Sequence, residues 1–294
     1  MALTDKLTAI GDAIREKINS TELISLDEMP GKISEIQTGT VSGNCAKYTL
    51  DSNGNMVSIV FYGDEIPSYM CSEQYWLESV DFPTELVTID MYAFYGCGRL
   101  ALTSLPAGVS KIGRCAFYNC MNLSLASLPV GITEIDSQTF WNCVNLALTS
   151  LPQGITTIED EAFYSCVNLA LTSLPQGLTR IGKKAFQDCT SLALTSLPDG
   201  VTHIFQQAFQ DCTSLALTSL PTNLDYIENY VFSGCTSITS ITFTNKPSQI
   251  YPKVFGGCDT LTTINVPWAE GEVSGAPWGA TNATINYNYV DTES

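Results

Sequence analysis

Apolar residues return along the middle of this chain at a constant spacing of 23 residues. The phenylalanine column is the most regular, and it comprises Phe94, Phe117, Phe140, Phe163, Phe186, Phe209, Phe232 and Phe255. A cysteine column follows three residues later, from Cys97 to Cys258, and a third column, mostly leucine, runs from Leu77 to Leu261. Because an unbroken period presents the same side chains to every neighbouring unit, it predicts stacked rungs around one continuous core.

Each unit contains two short strand-like stretches separated by turn residues. The first stretch ends at a proline, and the second carries paired apolar positions such as Ile155 and Ile158. Between them, Pro152–Gly154 has the chemistry of a turn, since proline fixes φ and glycine tolerates positive φ. A second corner is predicted before each cysteine, at Gly96, Asn119, Asn142, Ser165, Asp188, Asp211, Gly234 and Gly257. Parallel rungs of this kind advance by about 4.8 Å each.

The ends of the repeat array look like caps, which a solenoid needs to cover its core and its open strand edges. At the front, residues 45–50 and 56–62 are β-rich and predict a hairpin around residues 51–55. Asp51, Asn53 and Asn55 begin like a calcium loop, but the glycine and the final glutamate are missing, so a hairpin turn is favoured. At the back, residues 283–290 alternate as an edge strand would.

Two amphipathic helices are predicted before the front cap. One apolar face holds Leu3, Leu7, Ile10, Ile14 and Ile18, and the other holds Leu26, Met29, Ile33 and Ile36. The pair is too small to be stable alone, so it needs the solenoid, another chain or mutual packing. The flexible composition of residues 38–44 favours another chain, and hence a homo-oligomer formed through the N-terminal helix.

For one leucine column the sequence does not decide whether the side chains face the core or the solvent. It holds Leu102, Leu125, Leu148, Leu171, Leu194 and Leu217. In the terminal rungs, Val80, Ile241 and Ile264 occupy the next position and point inward. With constant register the six leucines face solvent as an apolar interaction surface, whereas a local shift buries them. We favour the shift, because burying a leucine contributes on the order of 2 kcal/mol.

The motif Leu-x4-Leu-Pro, then x-Gly-Val-x2-Ile-Gly-x2-Ala-Phe-x2-Cys, at residues 100–120, resembles the BspA-like class of bacterial leucine-rich repeats. The resemblance implies a right-handed, curved solenoid, mainly parallel β with short turns or 3-10 segments. It also implies adhesion and ligand binding by a surface or secreted protein. The predicted organisation is a helical attachment segment (1–37), a linker and N-terminal β cap (38–73), a leucine-rich-repeat solenoid of about eight repeats (74–266) and a C-terminal cap (267–294).

Residues 3–36 resemble an N-terminal segment of phage and prophage structural proteins, and residues 267–287 resemble the tail of such repeat proteins. These resemblances imply attachment to a virion by the N-terminus, with the repeats held outward. Residues 1–6 lack the basic and then apolar profile of a secretory signal. The location is therefore left open between the extracellular or cell surface and a virion.

Charge and composition exclude several function classes. Thirteen Lys and Arg against thirty Asp and Glu give a formal net charge of −17, which repels phosphate backbones, so no nucleic-acid partner is expected. No apolar run approaches the roughly 20 residues of a membrane span, so no membrane insertion is expected. Eleven cysteines suggest disulfides, but eight form one structural column and are predicted to be free thiols in the core. Disulfides between rungs and metal binding are the alternatives.

The chain shows no pattern of catalytic residues. Its one histidine, His203, falls in a variable surface column, where a solvated side chain is predicted. Paired carboxylates, a nucleophile elbow, a phosphate loop and a dinucleotide fingerprint are missing from the sequence. We therefore expect a protein that is not an enzyme and has no cofactor.

The candidate ligand-binding residues are Tyr95, Tyr118, Trp141 and Tyr164, which follow the phenylalanine column. Stacked rungs would place these rings about 5 Å apart on the outside, where they could hold a protein or a glycan. Alternatively, they only cover the turn. A second candidate is the strand face with Ser104, Ser127, Ser150, Ser173, Ser196 and Ser219. The predicted function is non-catalytic binding or adhesion, and the rival is a structural spacer or self-assembling element of a phage particle.

Overall fold

The computed structural model describes residues 45–290, apart from the side chains of Cys45 and Lys47. It is a parallel-β solenoid of about ten turns with a 23-residue period, which confirms the predicted fold. The predicted helices in residues 1–37 lie outside the described residues. Within residues 45–290, no helix has the length and apolar character needed to cross a membrane.

The strands are short, and most contribute two residues. Their bounds are β1 Cys45–Leu50, β2 Met56–Tyr62, β3 Glu65–Ile66, β4 Ser79–Asp81, β5 Thr88–Ile89, β6 Lys111–Ile112, β7 Glu134–Ile135, β8 Thr157–Ile158, β9 Arg180–Ile181, β10 His203–Ile204, β11 Tyr226–Ile227, β12 Ser240–Thr242, β13 Gln249–Ile250, β14 Thr263–Asn265 and β15 Thr284–Asn286. The sheet orders are β1-β2-β4, β3-β5-β6, β13-β11-β10-β9-β8-β7 and β12-β14-β15. Within the second and third of these, equivalent residues of successive rungs pair in parallel register, as Ile158 does with Ile181.

Additional strands flank the repeat array at both ends. At the front, β1 pairs antiparallel with β2, and β2 pairs in parallel with β4, so the hairpin joins the first rungs. The Asp51 carboxylate accepts hydrogen bonds from the amides of Asn53 and Asn55 at 2.8 and 2.9 Å. Hydrogen bonds from Asn55 and Asn53 lower the pKa of Asp51, and they confirm the hairpin turn. At the back, β15 extends the β12-β14 sheet as an edge strand, over fewer residues than predicted.

The phenylalanine column forms the axis of the core. All eight rings are fully buried, and neighbouring rings stack with centroids 5.3–5.8 Å apart and planes within 13° of parallel. Phe61 and Phe82 meet the first ring, Phe94, edge-on. Phe243 meets the last ring, Phe255, in the same way. Since edge-to-face contacts cover the two outer rings, the stack is closed at both ends.

The corner predicted before each cysteine is present, and its residue adopts the left-handed conformation, with φ between 53° and 74° at all eight positions. A second left-handed column, four residues earlier, was not predicted because its members share no turn chemistry. It comprises Tyr69, Tyr92, Cys115, Gln138, Glu161, Lys184, Gln207 and Tyr230, with φ between 55° and 62°. Amides then alternate in direction: Tyr92 donates to Arg114 of the next rung, and Ala93 donates to Asp90 of its own rung. This alternation ties successive rungs together along the turn edge.

The ambiguous leucine column lies in the core. Leu102 is 8% exposed and the other five are at most 1% exposed, so the local shift of the middle rungs is confirmed. The threonines that follow, such as Thr172, are exposed. In the terminal rungs Val80 and Phe82 face inward two residues apart, as in a strand. In the middle rungs Leu148 and Leu151 both face inward three residues apart. A strand cannot place both inward, because its side chains alternate, so no strand forms there.

Substitutions at two neighbouring residues of one middle rung, Leu171 and Thr172, test this shifted register. Leu171→Ala is expected to lower the free energy of unfolding by about 2–5 kcal/mol, because Leu171 is fully buried. Thr172→Ala is expected to change it by less than about 0.5 kcal/mol, because Thr172 is exposed. Urea denaturation followed by circular dichroism measures both changes. Equal effects of the two substitutions would contradict the shifted register.

Candidate functional site

The four predicted site residues form one stack on the turn edge. We call Tyr95, Tyr118, Trp141 and Tyr164 the aromatic strip. Ring centroids lie 4.7, 4.4 and 5.3 Å apart in that order, with planes within 13° of parallel. The spacing follows from the rung repeat, since each ring occupies the same position on its rung. All four side chains are half-buried.

Stacking determines which part of each ring is available. Each internal ring of the strip has its faces covered by neighbouring rings, so the outer edges, including the tyrosine hydroxyls, are the parts left for contact. The Lys184 ammonium lies 5.8 Å from the Tyr164 ring centroid, at the last rung of the strip. Burial raises the pKa of Tyr118 and Tyr164, so both hydroxyls stay protonated donors at neutral pH. The strip therefore presents aromatic edges and hydroxyls.

Two further tyrosines extend the aromatic strip toward the front cap. Tyr69 and Tyr92 stack with centroids 4.8 Å apart, and Tyr92 lies 5.6 Å from Tyr95. Sequence reasoning missed both, because they belong to the second left-handed column, which the pattern did not reveal. Their spacing of one period was the available signal.

Polar side chains flank the aromatic strip. The Asn142 amide donates to the Asn119 side-chain oxygen at 2.7 Å. The Gln138 amide donates to the Glu161 carboxylate, also at 2.7 Å. Each pair links neighbouring rungs, because its members are one period apart. These hydrogen bonds hold the side chains beside the rings in fixed positions.

The second candidate surface lies on the first stretch of each middle rung. Its serines are exposed, except for Ser219, which is half-buried and forms an isolated parallel bridge with Thr242. Residues 101, 103 and 104 and their equivalents in the next five rungs are alanine, threonine or serine. This face is therefore uncharged and made of small side chains.

The cysteine column contains free thiols that act as hydrogen-bond donors. All ten cysteines whose side chains are described are free. Cys120 donates to the Phe94 carbonyl at 3.1 Å, and the equivalent bond recurs in every rung at 2.9–3.1 Å. In the first rung the acceptor is the carbonyl of Cys71, which lies one period before Phe94 and takes the phenylalanine position. Burial raises the thiol pKa well above its ordinary value, as in Cys120 and Cys143.

The histidine, cysteine and carboxylate side chains of residues 45–290 are the groups that could hold a metal ion. No group there of three or more His, Cys, Asp or Glu side chains is arranged to hold a metal ion. His203 is half-buried rather than fully solvated, and its Nε2 lies 3.1 Å from the Glu228 carboxylate.

Comparison with solved structures places the fold among bacterial leucine-rich-repeat proteins. A leucine-rich repeat protein from Bacteroides ovatus matches with a TM-score of 0.59 and 19% identity, over 82% of this chain and 75% of that one. A leucine rich cell surface protein from Faecalibacterium prausnitzii is 22% identical over 84% of this chain and 94% of that one, with a TM-score of 0.39. The pneumococcal vaccine antigen PcpA is 19% identical over 83% of each chain, with a TM-score of 0.38.

Sequence comparison identifies the repeat itself. No curated protein shows significant similarity to the chain. The family described as BspA type leucine rich repeat region matches residues 64–193 and 156–273, in six copies. These residues do not include the opening segment, so the match does not support its resemblance to phage structural proteins. The match spans more than half of the chain and has the 23-residue rung found in the fold, and the chain therefore belongs to the BspA type leucine-rich-repeat family.

Proposed function

We propose that this protein is a non-catalytic recognition protein and that the aromatic strip contacts a protein partner. The observation that carries the proposal is the arrangement of the strip. Four rings in van der Waals stacking present edges and hydroxyls along one side of consecutive rungs. Tyrosine and tryptophan are enriched at protein interfaces because they combine large apolar area with a polar group and few rotatable bonds.

The geometry favours a protein over a glycan. Sugars bind aromatic residues mainly by packing on ring faces, and stacking covers the faces of Tyr118 and Trp141. Ring edges and hydroxyls suit the mixed apolar and polar surface of a polypeptide. The amide and carboxylate pairs beside the strip add hydrogen-bonding groups at fixed positions, which lowers the entropic cost of binding.

The serine-bearing face is a weaker candidate. Its exposed side chains are small, and small side chains supply little of the buried area that anchors a protein interface. We therefore assign recognition to the aromatic strip, and the serine face provides the internal comparison.

Paired variants test the proposal. The double substitution Tyr118→Ala with Trp141→Ala is expected to abolish binding of partners detected for the wild type on protein and glycan arrays. It removes two central rings, and truncation of aromatic anchors commonly reduces affinity by 2 kcal/mol or more each, about thirtyfold. Ser150→Ala with Ser173→Ala is the control on the serine-bearing face and is expected to leave binding unchanged.

The outcomes separate the possibilities. Loss of protein ligands in the aromatic variant alone supports the proposal. Retention of all binding, with a urea midpoint showing that the variant is folded, would mean that the rings only cover the turn. If the aromatic variant instead loses glycan ligands that the wild type binds, the partner of the aromatic strip would be a sugar and not a protein.

The location of the protein and the role of residues 1–37 stay predictions. A spacer or self-assembling role requires the N-terminal helix to join copies of the chain. Sedimentation of the full chain beside a truncation that begins at Val41 tests it. Oligomers that disappear on truncation would support assembly, and monomers in both samples would remove it.

A further inference from the structure

A second aromatic cluster lies on the outer surface of strands β9, β10 and β11. The His203 imidazole stacks between two rings, with its centroid 4.1 Å from Phe205 and 5.2 Å from Tyr226. The Arg180 guanidinium lies 4.1 Å from the Phe205 centroid and completes a four-layer stack. Arg180 also pairs with Glu159 at 3.1 Å and with Asp160 at 3.4 Å. We call Arg180, Phe205, His203 and Tyr226 the cation-capped stack.

The stack is occupied at one end and open at the other. Arg180 covers the outer face of Phe205, whereas Tyr226 contacts a single ring, His203, among the residues of the described chain. Tyr226 is 41% exposed. The residue that follows it in the column, Gln249, donates its side-chain amide to the Ile250 carbonyl. The outer face of Tyr226 therefore has neither an aromatic nor a cationic partner in residues 45–290.

A second exposed tyrosine stands beside this open face. Tyr251 is 38% exposed and lies two residues beyond Gln249, which pairs with Tyr226 across the strands. Gln249 and Tyr251 are exposed on either side of the buried Ile250, so Tyr251 lies on the same face as Gln249 and its partner Tyr226. Within residues 45–290 the Tyr226 and Tyr251 rings do not stack on each other, so neither ring covers the other.

Carboxylates line the same site. The Glu228 oxygens accept hydrogen bonds from the backbone amide of Gln206 at 2.9 Å and lie 3.1 Å from His203 Nε2. The Asp225 carboxylate accepts a hydrogen bond from the Ser248 amide at 2.9 Å. Hydrogen bonds from Ser248 lower the pKa of Asp225, so this group is ionised at neutral pH. Between Lys184 and Lys246 the chain has five acidic residues and no lysine or arginine.

Two lysines flank Tyr251 in sequence, and both are engaged elsewhere: Lys246 pairs with Glu272 at 2.7 Å, and the Lys253 ammonium lies 5.6 Å from the Tyr230 ring centroid. An exposed Tyr226 face that has no cation of its own, beside fixed carboxylates, matches the requirements of cation–π binding. We propose that Tyr226 and Tyr251, with the Asp225 and Glu228 carboxylates, dock a lysine or arginine side chain of a polypeptide partner. The bound cation would repeat at Tyr226 the contact that Arg180 makes with Phe205 at the other end of the stack. This surface is separate from the aromatic strip, which belongs to other rungs and another column.

A short basic peptide tests the proposal on the full chain. The probe is a decapeptide of alternating arginine and serine, titrated at 150 mM salt by isothermal calorimetry. A decapeptide of alternating glutamine and serine is the uncharged comparison. We expect Tyr226→Ala to weaken arginine-peptide binding at least fivefold, about 1 kcal/mol. Tyr226→Phe, which retains the ring, is expected to stay within twofold of the wild type, and Asp225→Asn is expected to weaken binding at least threefold.

Matched variants exclude binding by net charge alone. Tyr62→Ala removes a tyrosine of similar exposure, 48%, in the front hairpin, and it is expected to have no effect. Tyr118→Ala with Trp141→Ala is likewise expected to have no effect, so failure of this proposal and failure of the proposed function are distinguishable. Equal affinities of Tyr226→Ala and Tyr62→Ala would overturn the proposal. The proposal would also be overturned if Tyr226→Phe lost as much affinity for the arginine peptide as Tyr226→Ala does. The same holds if the wild type bound no arginine peptide, or if it bound the glutamine peptide as tightly as the arginine peptide.

Discussion

Raising the pH from 9 to 10 is expected to destabilise the folded chain by on the order of 10 kcal/mol, through the cysteine column alone. The eight thiols from Cys97 to Cys258 are at most 3% exposed. Burial holds their pKa above the ordinary value, to about 11 for Cys258 at the end of the column and higher within it. In the unfolded chain the same thiols ionise near pH 8.5.

The direction follows from proton binding. Above pH 8.5 the unfolded state releases thiol protons that the folded state retains, so the folded state binds more protons and stability falls as pH rises. The full contribution is present below pH 8.5. Once the unfolded thiols are ionised, each buried thiol lowers the free energy of unfolding by about 1.4 kcal/mol per pH unit. Eight equivalent thiols lower it by about eight times this amount. Tyr118 and Tyr164, whose pKa burial also raises, add to the same trend near pH 10.

Urea midpoints between pH 7 and 10, measured with reductant present, test this expectation. The control is Cys166→Ala with Cys189→Ala, which removes two of the eight thiols. The variant is expected to be less stable at pH 7, because it loses two buried hydrogen-bond donors and leaves small cavities. Its stability is expected to fall less steeply with pH, by about 2.7 kcal/mol per unit. Identical slopes for the wild type and the variant would show that the thiols are not protected.

The architecture could be predicted because the period is exact in sequence. The phenylalanine, cysteine and leucine columns, the corners before cysteine and the front hairpin all follow from spacing and turn chemistry, and all are found. The inward position of Leu148 was harder to predict. It depends on whether a rung forms a strand or a shifted segment, and the two differ by one residue in register.

Two other features of the fold could not be predicted, because no residue type marks them in the sequence. The second left-handed column accepts residues as different as Tyr92, Glu161 and Lys184, because the alternating amide bonds between rungs impose the conformation. The use of cysteine also has a reason that periodicity does not reveal. A thiol fills a small core position and donates to a carbonyl in the neighbouring rung, which alanine cannot do.

One of the two candidate sites could be predicted from the sequence, and the other could not. The aromatic strip was predictable, since identical spacing brings its rings together. Tyr69 and Tyr92 extend the aromatic strip, but they were missed because they belong to the second left-handed column. The cation-capped stack was not predictable, because Arg180, His203 and Tyr226 share a column but no residue type. Their stacking depends on side-chain rotamers and on Phe205 from the neighbouring position.

Deletion of a complete rung is expected to be tolerated better than deletion of half of one. Removing residues 166–188 takes out 23 residues and joins Ser165 to Cys189, which restores every column. Removing residues 166–177 takes out 12 residues, and with them Leu169, Leu171 and Leu174, while Ile181 and Phe186 remain. The remaining half-rung cannot close a turn of the solenoid, so both neighbouring rungs lose their partner. The smaller deletion is therefore expected to abolish the cooperative unfolding transition.

Small-angle scattering and thermal unfolding of these two deletions beside the wild type test the stacked-rung account most directly. The account predicts that the 23-residue deletion keeps a cooperative transition and shortens the molecule by one rung spacing, about 4.8 Å. It predicts that the 12-residue deletion is expanded and unfolds without cooperativity. A folded 12-residue deletion, or loss of structure in the 23-residue deletion, would contradict a solenoid built from equivalent rungs.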